Sequence, residues 1–176
     1  MRRLRYNVAM SLDGYIADAH DAFDWILDDE TVDFAALFAH VDTIILGRRS
    51  YDVVRAQGEL PWKPGTRVFV VSRTLATDSA DGVTIVSGDP VAIATSLRRE
   101  SGDGEIWLFG GGQLFAELLT GNQVDAVEVT IVPVLLGGGV PMLARMPGRA
   151  PLALKGTHVY PSGMVALYYD VPGASA

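Results

Sequence analysis

Apolar and polar residues alternate from Leu4 to Met10, with Leu4, Tyr6, Val8 and Met10 set against Arg5, Asn7 and Ala9. That two-residue period predicts a half-buried strand, and Ser11-Leu12-Asp13-Gly14 then turns the chain. From Tyr15 to Asp29 the sequence is acidic and irregular, with Phe23 and Trp25 embedded in it. A loop of this length is either a lid or pocket wall, or an ordinary surface excursion. Phe34, Leu37, Phe38 and Val41 share one helical face, so a helix capped by Asp29 or Thr31 is expected to run to about His40, with Asp33 in its first turn. Thr43-Ile44-Ile45-Leu46 reads as a buried strand that ends at Gly47-Arg48-Arg49-Ser50-Tyr51, the opening of a short helix. Gln57 to Thr66, with Pro61, Trp62, Pro64 and Gly65, is loop.

Arg67 to Val71 forms the next predicted strand and ends at Ser72-Arg73-Thr74. A short strand over Val83 to Val86 precedes a helix that starts at Asp89-Pro90 and runs to Arg99. Glu105 to Phe109 is an apolar run of strand length. It breaks into Gly110-Gly111-Gly112-Gln113 and restarts at helical spacing with Leu114, Phe115, Leu118 and Leu119. Val124 to Val132 alternates again, whereas Pro133 to Pro141 contains Gly137, Gly138 and Gly139, which excludes a central strand. Leu152-Ala153-Leu154 and Val165 to Tyr169 read as a closing antiparallel pair around Pro161-Ser162-Gly163. Strands alternating with helices and followed by consecutive strands describe an α/β fold: a mixed, mostly parallel sheet flanked by helices, with an antiparallel C-terminal edge. No repeat or linker interrupts it, so residues 1–176 are expected to form one domain.

Composition narrows the chemistry. A net charge of −7 argues against nucleic acid or an anionic membrane as the main partner. The absence of cysteine excludes disulfides, thiolate metal sites and a cysteine nucleophile, and three scattered histidines make no zinc site. No stretch has transmembrane length, and Arg2, Arg3 and Arg5 lead into a strand pattern rather than a signal peptide; a cytoplasmic location is therefore expected. No G-x-S-x-G elbow is present to suggest a hydrolase.

The candidate chemistry lies at strand ends. Three glycines before a helix let the backbone approach an anion such as a pyrophosphate at the free N–H groups, or simply form a tight turn. The spacing is not that of a G-x-G-x-x-G fingerprint, since Phe115 follows Gly112 where a third spaced glycine is needed. Arg48, Arg49 and Ser50 after one strand, and Ser72, Arg73 and Thr74 after another, either hold phosphate or are solvated surface groups.

Gly47-Arg48-Arg49-Ser50, Ser72-Arg73-Thr74 and Gly110-Gly111-Gly112, in that order at strand ends, resemble the dihydrofolate reductase superfamily. Ser11-Leu12-Asp13-Gly14 and Pro133 to Gly139 are similar to one branch of it, typified by the reductase domain of bacterial bifunctional riboflavin-biosynthesis enzymes. The similarity spans nearly the whole chain. It implies a dihydrofolate reductase-like fold and an NADPH-dependent oxidoreductase that passes hydride to a C=N bond of a small heterocycle. The substrate would be a ribosylamino-pyrimidine of riboflavin biosynthesis or a pterin. By resemblance, Arg48 and Ser50 contact the cofactor phosphates, Ser72 and Arg73 hold the adenosine end with its 2′-phosphate, and Gly110, Gly111 and Gly112 receive the pyrophosphate. Gly47, Arg49, Thr74, Gln113 and Leu114 flank these positions and join the cofactor set. Backbone groups of Ala9 and Ile16 match those that hold the nicotinamide carboxamide, and Thr130 falls beside the bound heterocycle. The proton donor corresponds best to Asp33, with Asp29 and Glu30 as rivals. The resemblance further implies a cis Gly110–Gly111 peptide and a homodimer.

Two features depart from a folate enzyme: Thr66 follows Pro64-Gly65 where an arginine is expected, and Phe115 stands in place of tyrosine. The chain also lacks the cysteines of a zinc deaminase partner. A nucleotide-binding module or sensor without turnover is the competing function.

Overall fold

The N-terminal alternation forms strand β1 (Leu4–Ser11), and the rest of the fold is arranged around it in a computed structural model that describes residues 1–58, 62–76, 79–80 and 82–173. In chain order there follow β2 (Tyr15–Ala17), α1 (Phe34–Leu37), β3 (Val41–Gly47), α2 (Arg48–Ala56) and β4 (Arg67–Val71). Next come β5 (Ser79–Ala80), β6 (Val83–Val86), α3 (Pro90–Arg99), β7 (Glu105–Gly110) and α4 (Gly112–Thr120). The chain closes with β8 (Ala126–Val132), β9 (Val140–Pro141), β10 (Ala153–Val159) and β11 (Val165–Asp170). Pro61 of the predicted 57–66 loop lies outside the described residues.

Among the described residues nine strands make one sheet in the order β10-β11-β8-β1-β7-β3-β4-β6-β5. The six strands from β8 to β6 are parallel, while β11 pairs antiparallel with β8, and β10 with β11. The expected mixed sheet with an antiparallel C-terminal edge is the observed one. A second antiparallel contact, β5 with β6, closes the opposite edge.

Register divides β1 between the two faces of the sheet. Leu4 and Tyr6 point into a core shared with Ile45, Leu108, Val127 and the apolar sides of α3 and α4, where Tyr6 stacks on Phe115 with centroids 4.0 Å apart. Burial of the Tyr6 phenol pushes its pKa up from 10.0. The opposite face carries a second core of Ile44, Leu46, Val68, Val70 and Trp107 under Tyr51 and Val54 of α2. Covering both faces is what a parallel sheet requires, and the near-continuous apolar runs of β3, β4 and β7 reflect it.

The structure departs from the sequence expectations in five places. The helix expected up to His40 is a single turn, α1, and buries no residue. Asp33 sits at its N-cap rather than inside it, accepting the N–H of Ala36 at 2.8 Å. Asp29 caps no helix and instead closes a local turn with Thr31. The 133–141 stretch stays out of the main sheet as expected, but residues 15–17, expected as loop, pair with its residues 140–141 in a two-stranded sheet of their own. Its pairing comes from a clasp between distant segments: Asp13 accepts the N–H groups of Leu136 (3.1 Å) and Gly137 (2.7 Å), Leu12 N–H donates to Val134 O and Met142 N–H to Gly14 O. A Cβ at Gly139 would stand 2.1 Å from Ala17 O, so only glycine fits there. Finally, β3, β8 and β10 have bounds different from the predicted ones, with β10 reaching Val159.

No helix among the described residues is long and apolar enough to cross a membrane, and no group of His, Cys, Asp or Glu among them could hold a metal ion.

Candidate active site

The carboxyl ends of β1, β3, β4 and β7 open onto a cavity of about 930 Å³. Its size is at the upper end of the range found for small-molecule sites, about 300–1,000 Å³. Two of the helices that start at its rim have no side-chain cap: α2, with Gly47 at the N-cap position, and α4, with Gly111 there. The first N–H groups of both helices are therefore left for a ligand, and the dipoles favour an anion. Gly110–Gly111 is a cis peptide. Ser50 Oγ lies beneath this turn, 3.3 Å from where a Cβ on Gly110 would be and 3.4 Å from one on Gly111. Gly112 is also fixed by packing, because a Cβ there would stand 2.4 Å from Pro141 O.

Three arginines surround the rim. Arg48 donates to Asp52 (2.7 Å) and to the Thr74 hydroxyl (2.9 Å), which joins the ends of β3 and β4. Arg49 pairs with Asp21 at 2.5 Å and so ties the 15–29 segment to α2. Arg73 is exposed and has no side-chain hydrogen bond or ion pair among the described residues. Ser72, which is buried, turns the backbone behind it by accepting from the N–H groups of Thr74 (3.2 Å) and Leu75 (3.0 Å).

Deeper in, the cavity is aromatic and apolar. Phe38, Trp107 and Phe109 form one wall, with ring centroids 4.8 Å apart for Phe38 and Trp107 and 5.0 Å for Trp107 and Phe109. Phe34, Leu37 and Met164 extend it. The irregular 15–29 segment supplies Ile16, Asp21, Phe23, Ile26, Leu27, Asp28 and Asp29, so it is a pocket wall rather than a surface excursion.

Of the residues singled out from sequence, Ala9, Ile16, Gly47, Arg48, Arg49, Ser50, Ser72, Arg73, Thr74, Gly111, Gly112, Gln113, Leu114 and Thr130 all line this one cavity. Gly110 stands just behind it, at the cis bond. Asp33 is not brought to it: the carboxylate is exposed at the start of α1 and engaged as a cap. Glu30 does not line the cavity either, whereas Asp28 and Asp29 do. Ser162, whose N–H donates to it at 3.1 Å, and Thr31, through its hydroxyl and N–H, hold the Asp29 carboxyl well below the usual carboxylate range. Asn7 and Trp107 also line the cavity, although sequence reasoning placed neither there. The available signal was a polar residue in the middle of a strand that a mostly parallel sheet covers on both faces.

The arrangement suits a dinucleotide. Two helix N-termini, three guanidiniums and several hydroxyls lie at one end, and a flat aromatic chamber lies at the other. Comparison with known proteins agrees with this architecture. The family model described as the RibD C-terminal domain matches residues 2–166. The chain belongs to that family. The crystal structure of a protein ascribed to riboflavin biosynthesis from Shewanella sp. PV-4 is 30% identical, with 97% of this chain and 99% of that one covered and a TM-score of 0.83. The uncharacterized protein YwjB of Bacillus subtilis is also 30% identical, over 92% of this chain and 94% of its own length. Dihydrofolate reductase from Enterococcus faecalis, complexed with NADP(H), shares the fold at 15% identity, with 97% and 96% coverage and a TM-score of 0.71. The RibD C-terminal domain family is thus a dihydrofolate reductase-like α/β fold, and this chain carries it over nearly its whole length.

Proposed function

We propose that the protein is an NADPH-dependent reductase of the riboflavin-pathway type, which passes hydride to a C=N bond of a small heterocycle. The substrate is of the 5-amino-6-(5-phosphoribosylamino)uracil or pterin class. One observation carries this reading: uncapped helix starts and arginines from three separate loops converge on one rim of a cavity whose other end is an aromatic slot. Family membership supports it.

Bound NADPH supplies the hydride. The N–H groups at the start of α4, from Gly112, Gln113 and Leu114, and those at the start of α2 receive phosphate, with Arg48, Arg49 and Ser50 adding charge and a hydroxyl. Arg73, unpaired and exposed beside Ser72 and Thr74, takes the 2′-phosphate, whose geometry its fork matches. Ala9 and Ile16 hold the nicotinamide end through their backbone. Thr130, cross-strand partner of Ala9, orients the heterocycle and the water that protonates its nitrogen. Trp107, Phe109 and Phe38 exclude bulk water and fix the ring plane.

One observation favours the second reading, a nucleotide-binding module without turnover: Asp33 caps α1 outside the cavity and Asp29 is strongly held as a carboxylate, which weakens both as acids. Following NADPH oxidation with pyrimidine and pterin substrates separates the two. Turnover with any of them establishes the reductase; calorimetric binding of NADPH without turnover establishes the module. Absence of NADPH binding overturns both.

The protein is further proposed to act as a homodimer through its late strands, where β10 is an edge strand with Leu154 and Val159 exposed. Light scattering at micromolar concentration is expected to give twice the chain mass.

A further inference from the structure

At the deep end of the cavity the sheet carries a polar group set among apolar neighbours. Arg5 and Asn7 lie on the same face of β1, and Glu128 of β8 is the cross-strand partner of Asn7. The Glu128 and Arg5 side chains are only 12% and 11% exposed. Arg5 donates to Glu128 Oε2 at 3.0 Å, is paired with Glu105 at 2.9 Å, and donates to the carbonyl of Leu37. Asn7 Nδ2 donates to the same Glu128 oxygen at 2.7 Å. Behind it, the Trp107 indole N–H donates to Asn7 O at 3.0 Å, which fixes the backbone at this position.

These contacts decide which way the Asn7 amide faces. A carboxylate held by a guanidinium can only accept, so Asn7 must turn its NH₂ toward Glu128. The amide oxygen is then left without a donor among the described residues, on a side chain that lines the cavity. A carbonyl oxygen held in place beside an aromatic slot is a fixed acceptor for a ring N–H. It is set before any ligand arrives, because reversing the amide would bring its oxygen against the Glu128 carboxylate.

We propose that Asn7 is a specificity-determining residue, whose amide oxygen accepts a hydrogen bond from a ring N–H of the heterocyclic substrate, and that Glu128, pinned by Arg5, is the positioning residue that holds it in that orientation. The inference deepens the reductase reading and rests on it for the word substrate. It selects lactam-type rings bearing N–H next to a carbonyl over rings alkylated at those nitrogens. The buried Arg5–Glu128 pair thereby acts on ligand choice without touching the ligand.

The test is calorimetric titration of the full-length protein, saturated with NADP⁺, with two flat probes: lumazine, which carries ring N–H groups, and 1,3-dimethyllumazine, which does not. The wild type is expected to favour lumazine by about tenfold, the worth of one net hydrogen bond in a dry site. Asn7→Leu, close in volume, is expected to bring the two affinities within about twofold while NADP⁺ affinity and thermal melting stay unchanged. Glu128→Gln, which can donate as well as accept, is expected to lower the preference to an intermediate value because the amide is then free to turn. Should Asn7→Leu destabilise the fold, Asn7→Ala serves in its place. A wild type without preference, or one that binds neither probe, overturns the proposal, as does a preference that survives loss of the Asn7 amide. A preference unchanged in Glu128→Gln overturns the role of Glu128. Failure of the reductase reading looks different: NADP⁺ gives no heat while the Asn7-dependent preference between probes persists.

Discussion

The two ends of the parallel strands use arginine in opposite ways. At the amino ends four guanidiniums each have a carboxylate: Arg2 with Asp42, Arg3 with Glu105, Arg67 with Glu100 at 2.7 Å, and Arg98 with Asp125 through two bonds of 2.7 and 2.8 Å. Arg98 is 2% exposed, donates further to the carbonyls of Arg2 and Gln123, and leaves nothing for a ligand. At the carboxyl ends α2 and α4 start uncapped, Arg73 faces the cavity alone, and the partners of Arg48 and Arg49 are partly exposed aspartates that water or an anion can replace. Satisfied polar groups stabilise, whereas groups left waiting for a partner bind. The comparison shows that the count of arginines says little until each one's partner is known.

Removing one charge from the closed end is expected to have the largest effect. Arg98→Met removes the guanidinium from the buried Asp125 carboxylate and should cost about 3–5 kcal/mol in urea unfolding, with NADPH affinity per folded molecule unchanged. At the open end the pattern reverses. Arg73→Ala should leave unfolding free energy within about 0.5 kcal/mol of wild type. It should weaken NADPH by about 1.5–3 kcal/mol, the worth of a charge-assisted bond, and leave NADH unaffected. Equal losses for both cofactors would remove Arg73 from the 2′-phosphate. Gly112→Ala touches both properties, since its methyl meets the backbone oxygen of Pro141 and must shift the start of α4. A loss of about 1–3 kcal/mol in stability together with weaker NADPH binding is expected by the same two assays. The smallest effect belongs to Asp33→Ala: a stability loss of no more than about 1 kcal/mol from the exposed cap, with steady-state kcat/KM unchanged. A large drop in kcat there would restore Asp33 as the acid.

What the sequence made legible follows from range. Buried strands such as Thr43 to Leu46 and Glu105 to Phe109 announce themselves by composition, and Asp89-Pro90 marks the start of α3 through chemistry confined to one turn. The rim glycines, arginines and hydroxyls could be placed because each follows a strand directly, and a parallel sheet brings such positions to one edge. Asp33 could not be placed, because the helix that was to carry it buries nothing and stops after one turn. The β2–β9 pair depends on Asp13 reaching residues more than a hundred positions away. Asn7 reads locally as the outer face of an alternating strand. Its role becomes visible only when Glu128 is known to lie opposite.

Trp107 gives the site a native optical signal. Of the three tryptophans, Trp25, Trp62 and Trp107, only the last lines the cavity, nearly buried, with its indole hydrogen-bonded to the strand that forms the floor. Its emission falls where reduced nicotinamide absorbs, so under the proposed function NADPH bound in the aromatic slot would quench one indole by resonance transfer. Replacing Trp25 and Trp62 with phenylalanine would leave a single emitter reporting on filling and emptying in real time.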